Sequence, residues 1–156
     1  MSFETAIQFG VGGVTLGAAP IVPAWIIEGN PVARNGLVSS TADGNSSTWM
    51  WDCTAGKFNW YYDIDEMVYF IEGSVIIKDT GGTHEPLHLK AGDTVFFPAG
   101  SSAEWTVPQY IRKYAILRAP MGRKLLLLRG VYRSLKRLVG KGNGADSGQP
   151  LTFQSR

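Results

Sequence analysis

From Ile21 to Leu117 the chain runs in short bursts of branched and aromatic residues, each broken by glycine, proline, asparagine or aspartate. That rhythm is the signature of strands joined by tight turns. The bursts predict strands at 24–28, 47–52, 57–62, 67–72, 74–78, 86–90, 93–97, 103–107 and 111–117. Between them, Glu28-Gly-Asn-Pro31, Asp43-Gly-Asn45, Cys53-Thr-Ala-Gly56, Asp79-Thr-Gly-Gly82, Ala91-Gly-Asp93 and Pro98-Ala-Gly100 carry residues that tolerate a positive φ or preset a turn. Alternation places Phe58, Trp60 and Tyr62 on one face of their strand, and Ala103, Trp105 and Val107 on one face of theirs. Trp49, Trp51 and Cys53 share another face and read as core. Many short strands with tight turns predict an all-β double-sheet jelly roll.

After Pro120 the period changes. Leu125, Leu128, Tyr132, Leu135 and Val139 recur at spacings of three and four, with Arg129, Arg133, Lys136 and Arg137 mainly elsewhere on the wheel, which predicts a basic amphipathic helix. The expected organisation is an N-terminal arm (1–18), a β domain (19–118), the helix (119–141) and a glycine-rich tail (142–156).

Composition narrows the class. A length of 156 residues with 44% hydrophobic content fits one domain with a real core. The one cysteine, Cys53, cannot form an intramolecular disulfide, and the apolar N-terminal stretch has Glu4 and no basic residue ahead of it, which argues against a secretory leader. A cytoplasmic location is expected, with peripheral membrane attachment as the alternative that the helix offers. Charge is unevenly spread: no acidic residue falls between Trp105 and Ala145, whereas ten basic residues from Arg112 to Lys141 do.

Two spans carry the candidate chemistry. The first, Gly56-KFNWYYDIDEMVYFIE-Gly73, holds Glu66 with six residues between it and Gly73; the second is Gly92-DTVFFPAGSSAEWTV, with Gly92, Pro98 and Gly100 in order. Together they resemble the paired motifs of the cupin superfamily. The string from Ala19 to Trp25 through Trp51 to Gly56, Phe58 to Tyr62, Glu66, Phe97 to Gly100, Trp105 and Arg112-Lys113 resembles one subgroup, the (S)-ureidoglycine aminohydrolase-type cupins, related to the ethanolamine-utilisation cupin. The resemblance covers residues 19 to 118 and implies an RmlC-like double-stranded β-helix, homodimers and, in the named aminohydrolase, a bound metal ion. Laid on the motifs, Trp60 and Tyr62 stand in place of the paired histidines, Glu66 matches the glutamate, and Ala103 replaces the last histidine.

Of that ligand set only Glu66 remains. Trp60 donates but cannot accept, Tyr62 is a poor ligand at neutral pH, and Ala103 has no donor atom. His84 and His88, four residues apart on an extended segment, would lie about 13 Å from one another and could not share an ion. The expected site is therefore metal-free: an aromatic pocket of Trp60, Tyr62 and Trp105 with room at Ala103, which suits a small organic ligand. Glu66 is its candidate acid or base, assisted by Tyr62, or else it accepts hydrogen bonds from Tyr62 or Trp60 and holds the barrel. Lys113 either pairs with Glu66, meets an anionic ligand, or is solvated. On this reading Glu66→Gln removes any turnover and leaves the fold intact.

Two alternatives stay open: a metal-dependent hydrolase of the aminohydrolase type using a divalent ion, and a non-catalytic accessory or sensor protein. The latter would be recruited to an anionic membrane surface or acidic partner by residues 121–141. Nucleic acid is not expected, because the helix lacks interleaved aromatics apart from Tyr132 and the rest is acidic. Arg34 is expected to reach a partner subunit or a ligand carboxylate. Asp93 is expected to bond nearby backbone, and Asp63 and Asp65 to cap the turn before Glu66.

Overall fold

The computed structural model describes residues 13–82 and 84–119. The amphipathic helix, the tail and most of the N-terminal arm expected from the sequence lie outside the described residues. Among the described residues there are eight strands: β1 (Gly17–Ala18), β2 (Ile26–Gly29), β3 (Ala33–Ser40), β4 (Ser46–Tyr61), β5 (Asp65–Asp79), β6 (Leu87–Lys90), β7 (Thr94–Phe97) and β8 (Ser102–Arg118). A 3-10 turn, Pro23–Trp25, precedes β2. The pairing is antiparallel in the order β1-β3-β4-β8-β5-β6, with β2 on β4 and β7 on β5. This is the expected jelly roll. Among the described residues no helix is long and apolar enough to cross a membrane.

Several predicted strands fuse. β4 absorbs both 47–52 and 57–62 apart from Tyr62, and Cys53 to Gly56, expected as a turn, is instead an irregularity within the strand, where the register to β8 shifts between Thr54 and Gly56. β5 similarly joins 67–72 to 74–78 through shifts on either side of Glu72-Gly73. Strand β3 was not expected, because Val32 to Ser40 mixes apolar and polar residues without clean alternation. Its pairing with β4 from Ala33↔Cys53 to Ser40↔Ser47 is set by tertiary contact.

The irregularities decide which residues face inward. Side chains alternate with period two, so a one-residue insertion turns a strand's following half over. In β4, Trp51 and Cys53 point into the core at odd positions, and beyond the irregularity Phe58 does so at an even one. In β5, Glu66, Val68 and Phe70 are buried before the break, Val75 and Ile77 after it. Strand β8 keeps one phase, burying Ala103, Trp105, Val107, Ile111, Lys113 and Ala115.

Gly73 is required where β5 breaks. Its φ is +78°, and a Cβ there would sit 1.9 Å from the Tyr110 carbonyl oxygen of β8. Only glycine satisfies both the backbone conformation and that close approach.

On the outer face, Asp52 is buried although it points away from the core. Arg34 Nε and Nη2 donate to its two oxygens at 3.0 and 2.7 Å, Tyr110 Oη donates at 2.8 Å and Arg112 Nη2 at 3.2 Å. The register explains the cluster: Arg34, Asp52, Arg112 and Glu72 stand side by side across β3, β4, β8 and β5. Arg34 thus takes its carboxylate from within its own chain. Burial alone would raise the Asp52 pKa, but hydrogen bonds from Arg34, Tyr110 and Arg112 outweigh it and hold the pKa below the ordinary value.

Two outcomes follow for stability. Gly73→Ala should cost about 3 kcal/mol or more in denaturant unfolding, because strain and clash add. Gly100→Ala, also at positive φ (+85°) but facing open space, should cost only about 1 kcal/mol. Asp52→Asn should cost roughly 2 kcal/mol at neutral pH. Because the folded-state pKa of Asp52 is depressed, its contribution is present above its unfolded value near 4 and is lost as pH falls through the lower folded value. Wild-type and variant unfolding curves should therefore converge in acid; a constant gap would contradict the assignment.

Candidate functional site

Glu66 and Lys113 meet inside the barrel. They are 6% and 4% exposed, and Lys113 Nζ donates to Glu66 Oε1. Their placement follows from the β5–β8 register, in which Glu66 faces Leu117, Val68 faces Ala115 and Phe70 faces Lys113. The pair between them, Val68 and Ala115, is small enough for the two longer side chains to join across it. Lys113 is also the register partner of Trp51 on β4.

Aromatic rings enclose the pair. Lys113 Nζ lies 4.9 Å from the Trp51 ring centroid and 4.8 Å from that of Trp105, so both π faces supplement Glu66 in stabilising the ammonium. Trp105, only 1% exposed, donates from Nε1 to Tyr62 Oη at 2.9 Å and stacks on Phe58 at 6.1 Å. Tyr62 stacks on Phe97, ring centroids 4.2 Å apart and planes within 7°. Burial, reinforced by the Glu66 charge, pushes the Tyr62 pKa well above its ordinary value, with the Trp105 hydrogen bond opposing. Tyr62 is accordingly a neutral donor at physiological pH and not a base.

Toward solvent the aromatic wall continues through partly buried side chains. Trp51 meets Trp60 edge-on at 6.1 Å, and Trp60 meets Trp25 of the 3-10 turn at 5.7 Å. Tyr61 joins the same group, 5.1 Å from Trp25.

Five of the six residues expected from the sequence therefore gather in the interior, namely Tyr62, Glu66, Ala103, Trp105 and Lys113, with Trp60 at its rim. Three features differ. Glu66 takes its hydrogen bond from Lys113, whereas the alternative to catalysis expected it from Tyr62 or Trp60. The room expected beside Ala103 is filled by protein, since Ala103 is 3% exposed. Trp51 joins the site as well as the core, because the irregularity in β4 turns it to the same side as Trp60.

A divalent ion does not fit these residues. Among the described residues no three His, Cys, Asp or Glu side chains converge. Glu66 is already engaged by an ammonium, and its neighbours Trp60, Tyr62 and Ala103 add no second carboxylate or imidazole. His84 and His88 are exposed, and His88 lies on β6 opposite Ile76. Asp93 behaves as expected, accepting from Lys90 N–H at Oδ2 at 2.8 Å, whereas Asp65, expected to cap the turn before Glu66, instead accepts at Oδ1 from Ala99 N–H at 3.0 Å, across to the loop after β7.

The family model for the EutQ-like cupin domain matches residues 40–115. Among solved structures, the chain is 25% identical to a protein of unknown function of the DUF861 family from Pseudomonas syringae pv. tomato, with a TM-score of 0.60, covering 70% of this chain and 46% of that one. It is 23% identical to the EutQ protein of Clostridium difficile (TM-score 0.49; 56% of this chain, 63% of that one). It is 33% identical to a DUF861 family protein from Thermotoga maritima (TM-score 0.39; 42% of this chain, 73% of that one). The chain thus spans less than two thirds of the Pseudomonas and Clostridium proteins. No curated protein matches it.

The ion pair changes what a substitution at Glu66 should do. Glu66→Gln leaves Lys113 charged and unpaired in an apolar interior, a loss of about 3–5 kcal/mol. Adding Lys113→Met removes the orphaned charge and should recover most of that loss in equilibrium unfolding. If the double variant were as unstable as the single, the pair would not be the partner relation described here.

Proposed function

We propose that this chain, whose residues 40–115 match the EutQ-like cupin domain, binds a small organic molecule without a metal ion at the Glu66–Lys113 pair. One observation carries the reading: an ion pair buried among aromatic rings. Such a pair adds little stability over apolar residues of similar size, and buried charge partners concentrate at functional sites. Here Lys113 occupies the carboxylate that the superfamily pattern offers to a metal, so the chain supplies its own cation. The partly buried rings of Trp60 and Trp25 offer a flat-faced approach, and Trp51 leads inward from them to the ammonium.

Chemically the site offers an ammonium donor, a carboxylate acceptor and a neutral phenol. That set recognises a compact polar molecule carrying a carboxylate, carbonyl or amide, with flat apolar faces against the tryptophans. Should turnover accompany binding, Glu66 is the base and Lys113 the acid beside it, each held by the other until a ligand divides them.

Thermal unfolding against a panel of small carboxylates, amides and nitrogen heterocycles tests this. A ligand at about a hundred times its Kd should add roughly 2.7 kcal/mol to the wild type and leave the Glu66→Gln/Lys113→Met variant unmoved. Equal shifts in both proteins would place binding elsewhere. Protein purified without a chelator or histidine tag should hold far less than one divalent ion per chain by mass spectrometry; a stoichiometric ion would overturn the metal-free part.

A further inference from the structure

The outer face of the sheet holds an apolar surface that the barrel does not use. Met67, Tyr69 and Phe96 are 41%, 48% and 54% exposed, and with Thr94, Tyr114 and Ile116 they line a groove of about 370 Å³. The register makes the surface continuous: Met50, Tyr114 and Tyr69 form one row across β4, β8 and β5, and Ile116, Met67 and Phe96 the next across β8, β5 and β7. Large exposed apolar patches of this kind mark places where something docks.

Three observations select the occupant. First, β8 ends at Arg118, two residues beyond Ile116, so the 37 residues after Ala119 leave the domain at the rim of this groove. Second, those residues contain the leucine stripe of 121–139, the apolar counterpart such a face needs. Third, the charges are opposite. Residues 13–119 carry eleven acidic and seven basic side chains, whereas those beyond carry one acidic and eight basic. Of the acidic residues, Asp65, Glu72 and Asp93 border the groove; of the two arginines there, Arg112 is shared between Asp52 and, at 3.8 Å, Glu72, and Arg118 stands opposite Asp65 in the register. The adjoining part of the same face is covered by the chain's own opposite end, since Val14 and Leu16 lie against Gly36, the register partner of Met50.

We propose that residues 121–139 dock as an amphipathic helix on this outer face of their own barrel, the leucine stripe against Tyr69, Phe96 and Ile116 and the basic residues toward its acidic border. A helix of nineteen residues is about 28 Å long, enough to cross five strands spaced about 4.8 Å apart. The surface is separate from the Glu66–Lys113 site, so this inference does not depend on the ligand proposed there.

Disulfide trapping in the full chain tests it. Cys53 is 0% exposed, and burial, reinforced by Asp52, pushes its thiol pKa up to about 12, so it should stay out of the exchange. Phe96→Cys and Tyr69→Cys are each combined with Leu128→Cys and oxidised at low concentration. Controls pair Phe96→Cys with Arg129→Cys on the polar side of the stripe, and Lys78→Cys, exposed on the other half of the barrel, with Leu128→Cys. At least one Leu128→Cys pair on the face should close an intrachain disulfide roughly tenfold or more faster than either control, the advantage of a docked over a merely tethered partner. Equal rates in pairs and controls overturn the proposal. So does a disulfide found only between chains when single-cysteine proteins are mixed, which would give the face to a second copy. Absence of any face disulfide, with the chain instead floating on phosphatidylserine vesicles, would assign the segment to a membrane.

Discussion

The breaks in β4 and β5 are the constraint on which the site depends. A strand that simply alternated could not place Trp51 and Phe58 on the same side, nor both Phe70 and Val75, because odd and even positions face opposite ways. Each break turns the rest of its strand over, and Gly73 makes the second break sterically feasible by letting β5 approach the Tyr110 carbonyl. Strand β8 lies between the two and keeps one phase. Lys113 therefore enters the barrel while its neighbour Arg112 remains outside to meet Asp52.

That division of adjacent cations gives the sheet two electrostatic centres. Outside, Asp52 collects two arginines and a tyrosine hydroxyl, with the guanidinium groups partly in water, so the cluster ties β3, β4 and β8 together at modest desolvation cost. Inside, Lys113 has one carboxylate and two tryptophan faces. The inner pair is poorly explained by stability alone, which is why it carries the functional reading. Tyr62, held by Trp105 and stacked on Phe97, extends the polar centre with a donor that keeps its proton.

The relation to the superfamily is one of frame retained and centre replaced. Gly73, Gly92, Pro98 and Gly100 are in place, and Glu66 stands where the motif puts a carboxylate. The positions that would complete a metal site hold a tryptophan, a tyrosine and an alanine, and a lysine from β8 neutralises the glutamate. An ammonium is a fixed monovalent donor with no open coordination position, and it takes up the one carboxylate of the motif that remains.

The jelly roll was legible in the sequence because strand rhythm and turn chemistry are local: Gly92, Gly100 and the alternation of Ala103, Trp105 and Val107 each state their own geometry. Membership of the Glu66 neighbourhood was legible too, since two motifs converge on it. The fusion of short strands into β4 and β5 was not, because Cys53 to Gly56 reads locally as a turn and becomes a strand irregularity only when β8 pairs across it. Nor was β3, whose mixed composition acquires its pairing from β4. The choice of Lys113 as the partner of Glu66 also belongs to the tertiary structure. Sequence spacing places them 47 residues apart, and only the β5–β8 register, with small residues between, brings the two side chains together in the barrel interior.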